Sequence, residues 1–271
     1  MEPALQRRIQ RYGWDKAAGY YESFWQKQLY PAQQKLLEFA NIKGDERVID
    51  IACGTGLVSF PVAKLVGENG FVLANDISDK MVETGAAIAK KKGFGNINFQ
   101  RMDAEQLEVE DSSFDIALCA LGFMYFPDPL KAFKEMYRSL KPGGHAVVAV
   151  WGQRKNCGWA EVFEIVDRRV TSEVCPMFFN LGNKGVLEHY MKAGGFSNIK
   201  VESLNTMLDY STGEDACGAA FLGGPVALAY NKFSEEIKSE VQKEYLASIE
   251  SYKSENNYHV PGEFVVAVGY K

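Results

Sequence analysis

Between residues 47 and 151 the hydrophobic pattern switches repeatedly between two periods. RVIDIA (47–52) is a short, near-continuous apolar run, the pattern of a strand buried on both faces of a parallel sheet. The stretch FPVAKLVG follows as a helix stopped by Gly67. The alternation then repeats: strand GFVLAND, helix SDKMVETGAAIAKKKG, strand INFQRMD, an acidic loop and strand FDIALCAL. Helix PLKAFKEMYRSL, a KPGG turn and strand HAVVAVW complete it. Strands alternating with helices predict a doubly wound α/β sheet. Ahead of it, residues 4–39 read as helical, with an aromatic-rich piece YGWDKAAGYYESFW and an amphipathic piece PAQQKLLEFA that Pro31 opens. After Trp151 the pattern loosens into helices WAEVFEIVDRRV and KGVLEHYMKAGG, strand NIKVESLNTML, a mostly helical stretch 213–256 and a final strand GEFVVAVGYK.

Composition narrows the setting. The 271 residues are 46% hydrophobic and 24% charged, with a formal charge of -5, which argues against a general phosphate-backbone binder. The one dense basic run, Lys90–Lys92, reads as the C-terminal turn of a helix, where cations are favoured. No nucleic-acid partner is expected. The N-terminus has no apolar leader and no apolar run reaches the roughly 20 residues of a membrane span, so a cytoplasmic protein is expected. Five cysteines, at 53, 119, 157, 175 and 217, form no C-x-x-C pair, which predicts neither a disulfide framework nor a metal site.

The chemistry concentrates after the first strand. Gly54 and Gly56 flank Thr55 between a strand and a helix, where glycine lets backbone N–H groups approach a ligand. Asp76 ends the second strand 20 residues beyond Gly56, the place of an acid that accepts from ribose hydroxyls. A dinucleotide fingerprint needs a third glycine where Ser59 stands, and a pyrophosphate disfavours an acid as near as Asp50. An amino-acid moiety with an ammonium group favours it; Asp50 reaches that group through water or positions the loop. Asp103 ends the third strand, placed to accept from an adenine amine, with the Ala104 N–H beside it. Three acids at three consecutive strand ends point to S-adenosylmethionine (SAM), which carries an ammonium and no phosphate.

The motifs VIDIACGTG, LANDIS, RMDAEQL, FDIALCALGFMYFPDP and LKPGGHAVVAVW occur in the order and spacing of class I SAM-dependent methyltransferases. The chain most resembles the branch that holds the ubiquinone/menaquinone-biosynthesis C-methyltransferases and many small-molecule methyltransferases, over roughly Arg47 to Trp151. The resemblance implies a Rossmann-like seven-stranded sheet whose last strand is antiparallel and inserted beside the sixth, with N-terminal helices and a helical cap or lid. It implies SAM as cofactor and S-adenosylhomocysteine (SAH) as product. Ala52, Cys53, Gly54, Thr55 and Gly56 would hold the methionine part, Asp76 the ribose with Ile77 and Met81 beside it, and Asp103 and Ala104 the adenine. Ala120 would line the pocket under the methyl group. Ala52 stands where many relatives have glycine. One domain is expected, divided into an N-terminal helical segment (1–45), a SAM-binding half (46–152), a substrate cap and lid with the sixth strand (153–259) and the final strand (260–271).

Aromatic faces suit a sulfonium, and Tyr20 and Tyr21 are the candidates to cap the cofactor, with Trp25 behind them. No general base stands out; His259, Tyr258 and Tyr21 are the candidates. Cys157, Cys175 and Cys217 fall in the cap and read as small buried hydrophobes. FLGGPVALAY reads as a lid hinged at Gly223, Gly224 and Pro225. The expected reaction is methyl transfer to an O, N, S or C nucleophile of a small, apolar or aromatic molecule. An RNA or protein methyltransferase and a non-catalytic SAM-binding subunit are the alternatives, and monomer and homodimer both stay open.

Overall fold

A computed structural model describes residues 2–170 and 177–271; Cys175 lies outside them. Strands β1 (Arg47–Ile51), β2 (Phe71–Asp76), β3 (Ile97–Arg101), β4 (Phe114–Ala120) and β5 (Leu140–Trp151) run parallel. They share one sheet with β6 (Ser197–Tyr210), the two-residue β7 (Lys253–Ser254) and β8 (Asn257–Tyr270). The order is β3-β2-β1-β4-β5-β8-β6, with β7 paired to β8 off this path. Strand β8 inserts antiparallel between β5 and β6. The fold is the Rossmann-like sheet expected.

Side-chain alternation in the strands supplies two cores. Val48, Val72 and Ile116 point to one face, where helices α1 (Pro3–Ala40) and α2 (Ser59–Val66) cover them with Leu36 and Val62. Ile49, Leu73 and Ala117 point to the other, under α4 (Pro129–Ser139) and α6 (Val186–Ala193), through Phe133 and Met191. Helix α3 (Asp79–Lys92) starts on a Ser78 cap whose side chain accepts from the Met81 N–H, and ends in Lys90–Lys92 before Gly93 at φ 73°. The lysine run is thus the last turn of a helix.

Three boundaries differ from the pattern-based expectation. Helix α1 is a single 38-residue helix that runs through Pro31, not two pieces. Proline removes one N–H and crowds the carbonyl four residues back. Burial on both sides carries the helix across, with Trp25 and Leu29 before the proline and Ala32 and Leu36 after it. Gln28 adds a clamp to β6: its Nε2 donates to the Asp209 carbonyl at 2.6 Å, and the Asp209 N–H donates to its Oε1 at 3.0 Å. KPGG is the bulged start of β5, because Phe114 faces Leu140 while Ile116 faces His145. Strand β8 begins at Asn257, so Tyr258 and His259 belong to it.

The remaining helices, α5 (Glu161–Asp167), α7 (Gly213–Cys217), α8 (Ala227–Tyr230) and α9 (Glu235–Ser248), form the cap beside β6 and β8. Cys157 and Cys217 are buried there, and burial pushes both thiols up to about 12. Both behave as small apolar residues. A π-helical turn, Gly218–Leu222, precedes α8, and Phe221 stacks on Tyr230 beneath it.

Replacing Pro31 by alanine restores the missing N–H inside a packed helix, so Pro31→Ala is expected to stabilise the fold by about 1 kcal/mol, a residue of the larger helix-interior penalty of proline after its unfolded-state benefit is lost. Urea unfolding followed by circular dichroism checks this; a lower midpoint would mean that the break itself is needed for α1 to follow the sheet.

Candidate active site

Four strands deliver their C-terminal ends to one cavity with ≈ 700 Å³ of space between atoms, the place where doubly wound sheets bind ligands. At the end of β1 the chain must turn sharply. Ala52, Gly54 and Gly56 take φ of 55°, 56° and 99°, all in the left-handed region. The Gly54 N–H, directed across to β2, donates to Asp76 Oδ2 at 2.9 Å. The same carboxylate takes the Ser78 N–H on Oδ1 at 2.9 Å. An ionised carboxylate has about four lone-pair sites, so Asp76 keeps acceptor capacity toward the cavity that it lines.

Expected and observed positions divide cleanly. Tyr21, Ala52, Gly54, Asp76, Ile77, Met81, Asp103, Ala104 and Ala120 all line the cavity. Cys53, Thr55 and Gly56 complete the turn behind that wall. The Thr55 hydroxyl donates to Glu22 at 2.9 Å, and Gly56 is needed for packing, since a Cβ there would lie 2.9 Å from both Phe60 and Phe99 ring carbons. Asp50 is buried under the loop and accepts the Ser59 hydroxyl at 2.5 Å, so it supports the turn and does not line the cavity. Tyr20 is 47% exposed and faces solvent, stacked on Phe24. Its neighbour Tyr21 faces inward, with Cε1 3.4 Å from the point where a Gly54 Cβ would stand.

Two of the three candidate bases, His259 and Tyr258, lie elsewhere. His259 sits half-exposed on β8 and pairs through Nδ1 with Asp209 at 2.7 Å; Tyr258 is buried beneath Lys253. Neither lines the cavity. Their place in a strand follows from the earlier start of β8, which the Pro261 in the run obscured.

Sequence reading missed several lining residues. Asn75 is 1% exposed, lines the cavity, and neither its Oδ1 nor its Nδ2 has a partner among the described residues. Its signal was a polar residue inside the apolar run FVLAND. Arg7, from α1, forms ion pairs with Asp103 at 3.0 Å and with the buried Glu105, whose other oxygen accepts the Asp128 N–H at 3.0 Å. Four residues on, Arg11 pairs with Asp79; after four more, Asp15 accepts from the Ser78 hydroxyl at 2.7 Å; Glu22 holds Thr55. The spacing i, i+4, i+8 and i+15 puts all four on one face of α1. That face therefore ties the loops after β1, β2 and β3.

Burial governs the electrostatics. It pushes the Asp50 carboxyl up to about 7, with the Ser59 hydrogen bond opposing and the Asp76 charge adding. It pushes Asp76 up to about 6 against the N–H groups of Ser78, Gly54 and Ile77. Burial and the two acids raise Tyr21 well above the ordinary phenol range, so its hydroxyl remains protonated. Arg7 is the cation on the wall and is already matched to Asp103 and Glu105; with Asp76 nearby, the wall suits a cation with hydroxyl donors and not a pyrophosphate. These groups, with the orphaned Asn75 amide, fit SAM.

A second chamber, with ≈ 330 Å³ of space between atoms that includes its opening to solvent, shares Trp14, Tyr21, Leu121 and Tyr125 with the first. Its far wall is Trp25, Leu29, Trp151, Trp159, Phe178, Gly224 and Pro225. Gly224 and Pro225 of the expected hinge thus close this chamber.

A family model described as a methyltransferase domain matches residues 42–173. The demethylmenaquinone methyltransferase of Staphylococcus saprophyticus is 29% identical over 185 residues, 63% of this chain and 78% of that protein. The ubiquinone/menaquinone biosynthesis C-methyltransferase of Bdellovibrio bacteriovorus is 36% identical over 178 residues, 63% of this chain and 74% of that protein. Other enzymes of that name are matched over 45% and 51% of their length, about half. Among solved structures, phosphoethanolamine N-methyltransferase 2 of Haemonchus contortus, in complex with SAM, shares the fold at a TM-score of 0.62. Its identity is 19%, over 95% of this chain and 57% of that one.

The loop geometry makes its own prediction. A Cβ on Gly122 would stand 2.5 Å from the Ala52 Cβ and 2.7 Å from Cys119 Sγ. Gly122→Ala is expected to cost about 2 kcal/mol of stability. Adding Ala52→Gly removes the nearer clash and the strained φ, so the double variant should recover part of the loss. Additive losses in a double-mutant cycle by urea unfolding would refute the contact.

Proposed function

The chain belongs to the class I SAM-dependent methyltransferases, and from that premise we propose that it methylates a ring carbon of a small, apolar aromatic molecule. The observation that carries the reading is the second chamber, walled by aromatic and aliphatic side chains and sharing Trp14, Tyr21, Leu121 and Tyr125 with the cofactor cavity. The C-methyltransferase relatives support carbon as the nucleophile.

SAM supplies an electrophilic methyl group on a sulfonium that leaves as a neutral thioether. The protein's task is to align, dehydrate and hold charge. Asp76 accepts from the ribose hydroxyls and, through the Gly54 N–H, fixes the loop 52–56 that holds the methionine part. Asp103 and the Ala104 N–H take the adenine edge, with Asn75 supplying a further amide. Trp14, Tyr21 and Tyr125 line both chambers; Trp14 meets Tyr21 and Tyr125 edge-on at 5.8 and 5.3 Å. Tyr21 stays protonated and acts as a donor, not as a base. Of the described residues that line the second chamber, none is a carboxylate, histidine or lysine, so the acceptor brings its own activation, as an electron-rich ring bearing an ionisable hydroxyl does. The ring proton displaced by the new carbon–carbon bond passes to water as the ring rearomatises.

Turnover is tested by SAH release with phenols, quinols, amines and thiols offered in turn. Release with the phenols or quinols supports the proposal; turnover confined to amines or thiols overturns it.

Cofactor affinity carries a pH signature. Ionised Asp76 is the competent acceptor, so SAH affinity by calorimetry should be flat above about pH 7 and fall as the carboxyl protonates near 6. Asp76→Asn should weaken binding at pH 7.5 by roughly 10–100-fold, a charge-assisted bond of about 1.5–3 kcal/mol, and remove that step. NADH should give no saturable heat. Folding responds with the opposite sign: both carboxyls are raised from 3.8, so their stabilising contribution is full below that value and is lost as pH rises through about 6 for Asp76 and 7 for Asp50. A pH-independent wild-type affinity would sink the ribose assignment.

A further inference from the structure

The far wall of the second chamber holds three indoles edge to edge. Trp151 and Trp159 have centroids 4.7 Å apart at 60°, and Trp25 lies 6.1 and 6.2 Å from them, at 70° to each. Trp25 and Trp159 are 6% and 3% exposed. Their indole Nε1 atoms are buried, and neither has a hydrogen-bond partner among the described residues.

An indole nitrogen donates and never accepts. Buried donors are almost always matched, and one left unmatched weighs against the fold. Two of them in the wall of one chamber call for an acceptor atom inside it. Glycine at 223 keeps a side chain off the N–H edge of Trp25. A Cβ on Gly223 would come within 3.2 Å of Trp25 Cδ1 and 3.3 Å of Nε1, and the next two residues, Gly224 and Pro225, line the chamber. No carboxylate among the described lining residues competes for the N–H groups.

We propose that Trp25 and Trp159 are specificity-determining residues whose indole N–H groups bind an oxygen-bearing edge of the aromatic acceptor, a carbonyl or phenolic oxygen. The assignment rests on the aromatic-acceptor reading above and narrows it. A ring with oxygen satisfies both donors; a bare hydrocarbon leaves them unmatched, and an ammonium group meets donors where it needs acceptors. A carboxylate would place a full negative charge against a wall with no cation among its described residues, so a neutral or phenolic oxygen is the matching class.

The test is equilibrium dialysis of the full chain saturated with SAH, with 1-naphthol and naphthalene as probes. Wild type should bind 1-naphthol about tenfold more tightly than naphthalene. Trp25→Phe and Trp159→Phe keep a ring in the wall and remove one N–H each. Each should shrink the naphthol preference by roughly threefold and the pair should abolish it, while SAH affinity, read on the same samples, stays within twofold. Comparing two probes on one variant cancels the packing lost with the larger indole. Equal binding of the probes by wild type, or a full preference in the double variant, overturns the assignment and leaves the aromatic chamber standing. Binding of neither probe overturns the chamber's role as acceptor site and the assignment with it.

Discussion

The hydrogen bond from the Gly54 N–H to Asp76 is the constraint on which the site depends. It crosses from the turn after β1 to the end of β2 and fixes how far the turn can open. A charged acceptor makes the bond strong, but the carboxylate must be buried to reach it. Burial raises Asp76, and backbone N–H groups of Ser78 and Ile77 oppose that rise. The result is a carboxylate largely ionised at neutral pH with unsatisfied lone pairs toward the cavity. A fully satisfied acid would hold the loop equally well and bind nothing.

Helix α1 makes this local arrangement collective. Surface ion pairs contribute little singly, about 0–1 kcal/mol each. The stripe of Arg7, Arg11, Asp15 and Glu22 differs because its members grip the loops after three strands, and one of its partners, Glu105, is buried. A rigid helix that touches the loops after three strands couples their positions, so that moving one requires moving the others or bending the helix. Gln28, clamped to the main chain of β6 just before Pro31, anchors the far half of the same rod.

The sheet was legible because buried parallel strands leave near-continuous apolar runs, and of the three strand-end acids Asp76 and Asp103 line the cavity while Asp50 holds Ser59 beneath the loop. Nine expected cofactor residues line the cavity, several of them placed by the motifs of the family resemblance. Gly56 was read as ligand-facing because the need for glycine in a turn looks the same whether a ligand or Phe60 fills the space. Tyr20 and Tyr21 are adjacent in a helix, and only the direction of the helix against the sheet decides which points inward. Arg7, Trp14 and Tyr125 were missed for a related reason. Their roles arise from α1 crossing the strand ends and from the turn after β4, relations between segments that no local pattern records.

The two chambers are chemically opposite, and the contrast argues for a directed reaction path. The first has acids in its wall and suits a cation with hydroxyl donors. The second presents donors and rings with no carboxylate among its described lining residues, which suits an oxygen acceptor on a flat apolar body. Under the proposed function, a positive electrophile in the first and an electron-rich ring in the second would meet across Trp14, Tyr21, Leu121 and Tyr125, which line both chambers. Exchanging them is disfavoured on both sides, since a cation among indole N–H donors and a phenolic oxygen against Asp76 are each mismatched. Specificity of placement then follows from the sign of the groups in each wall.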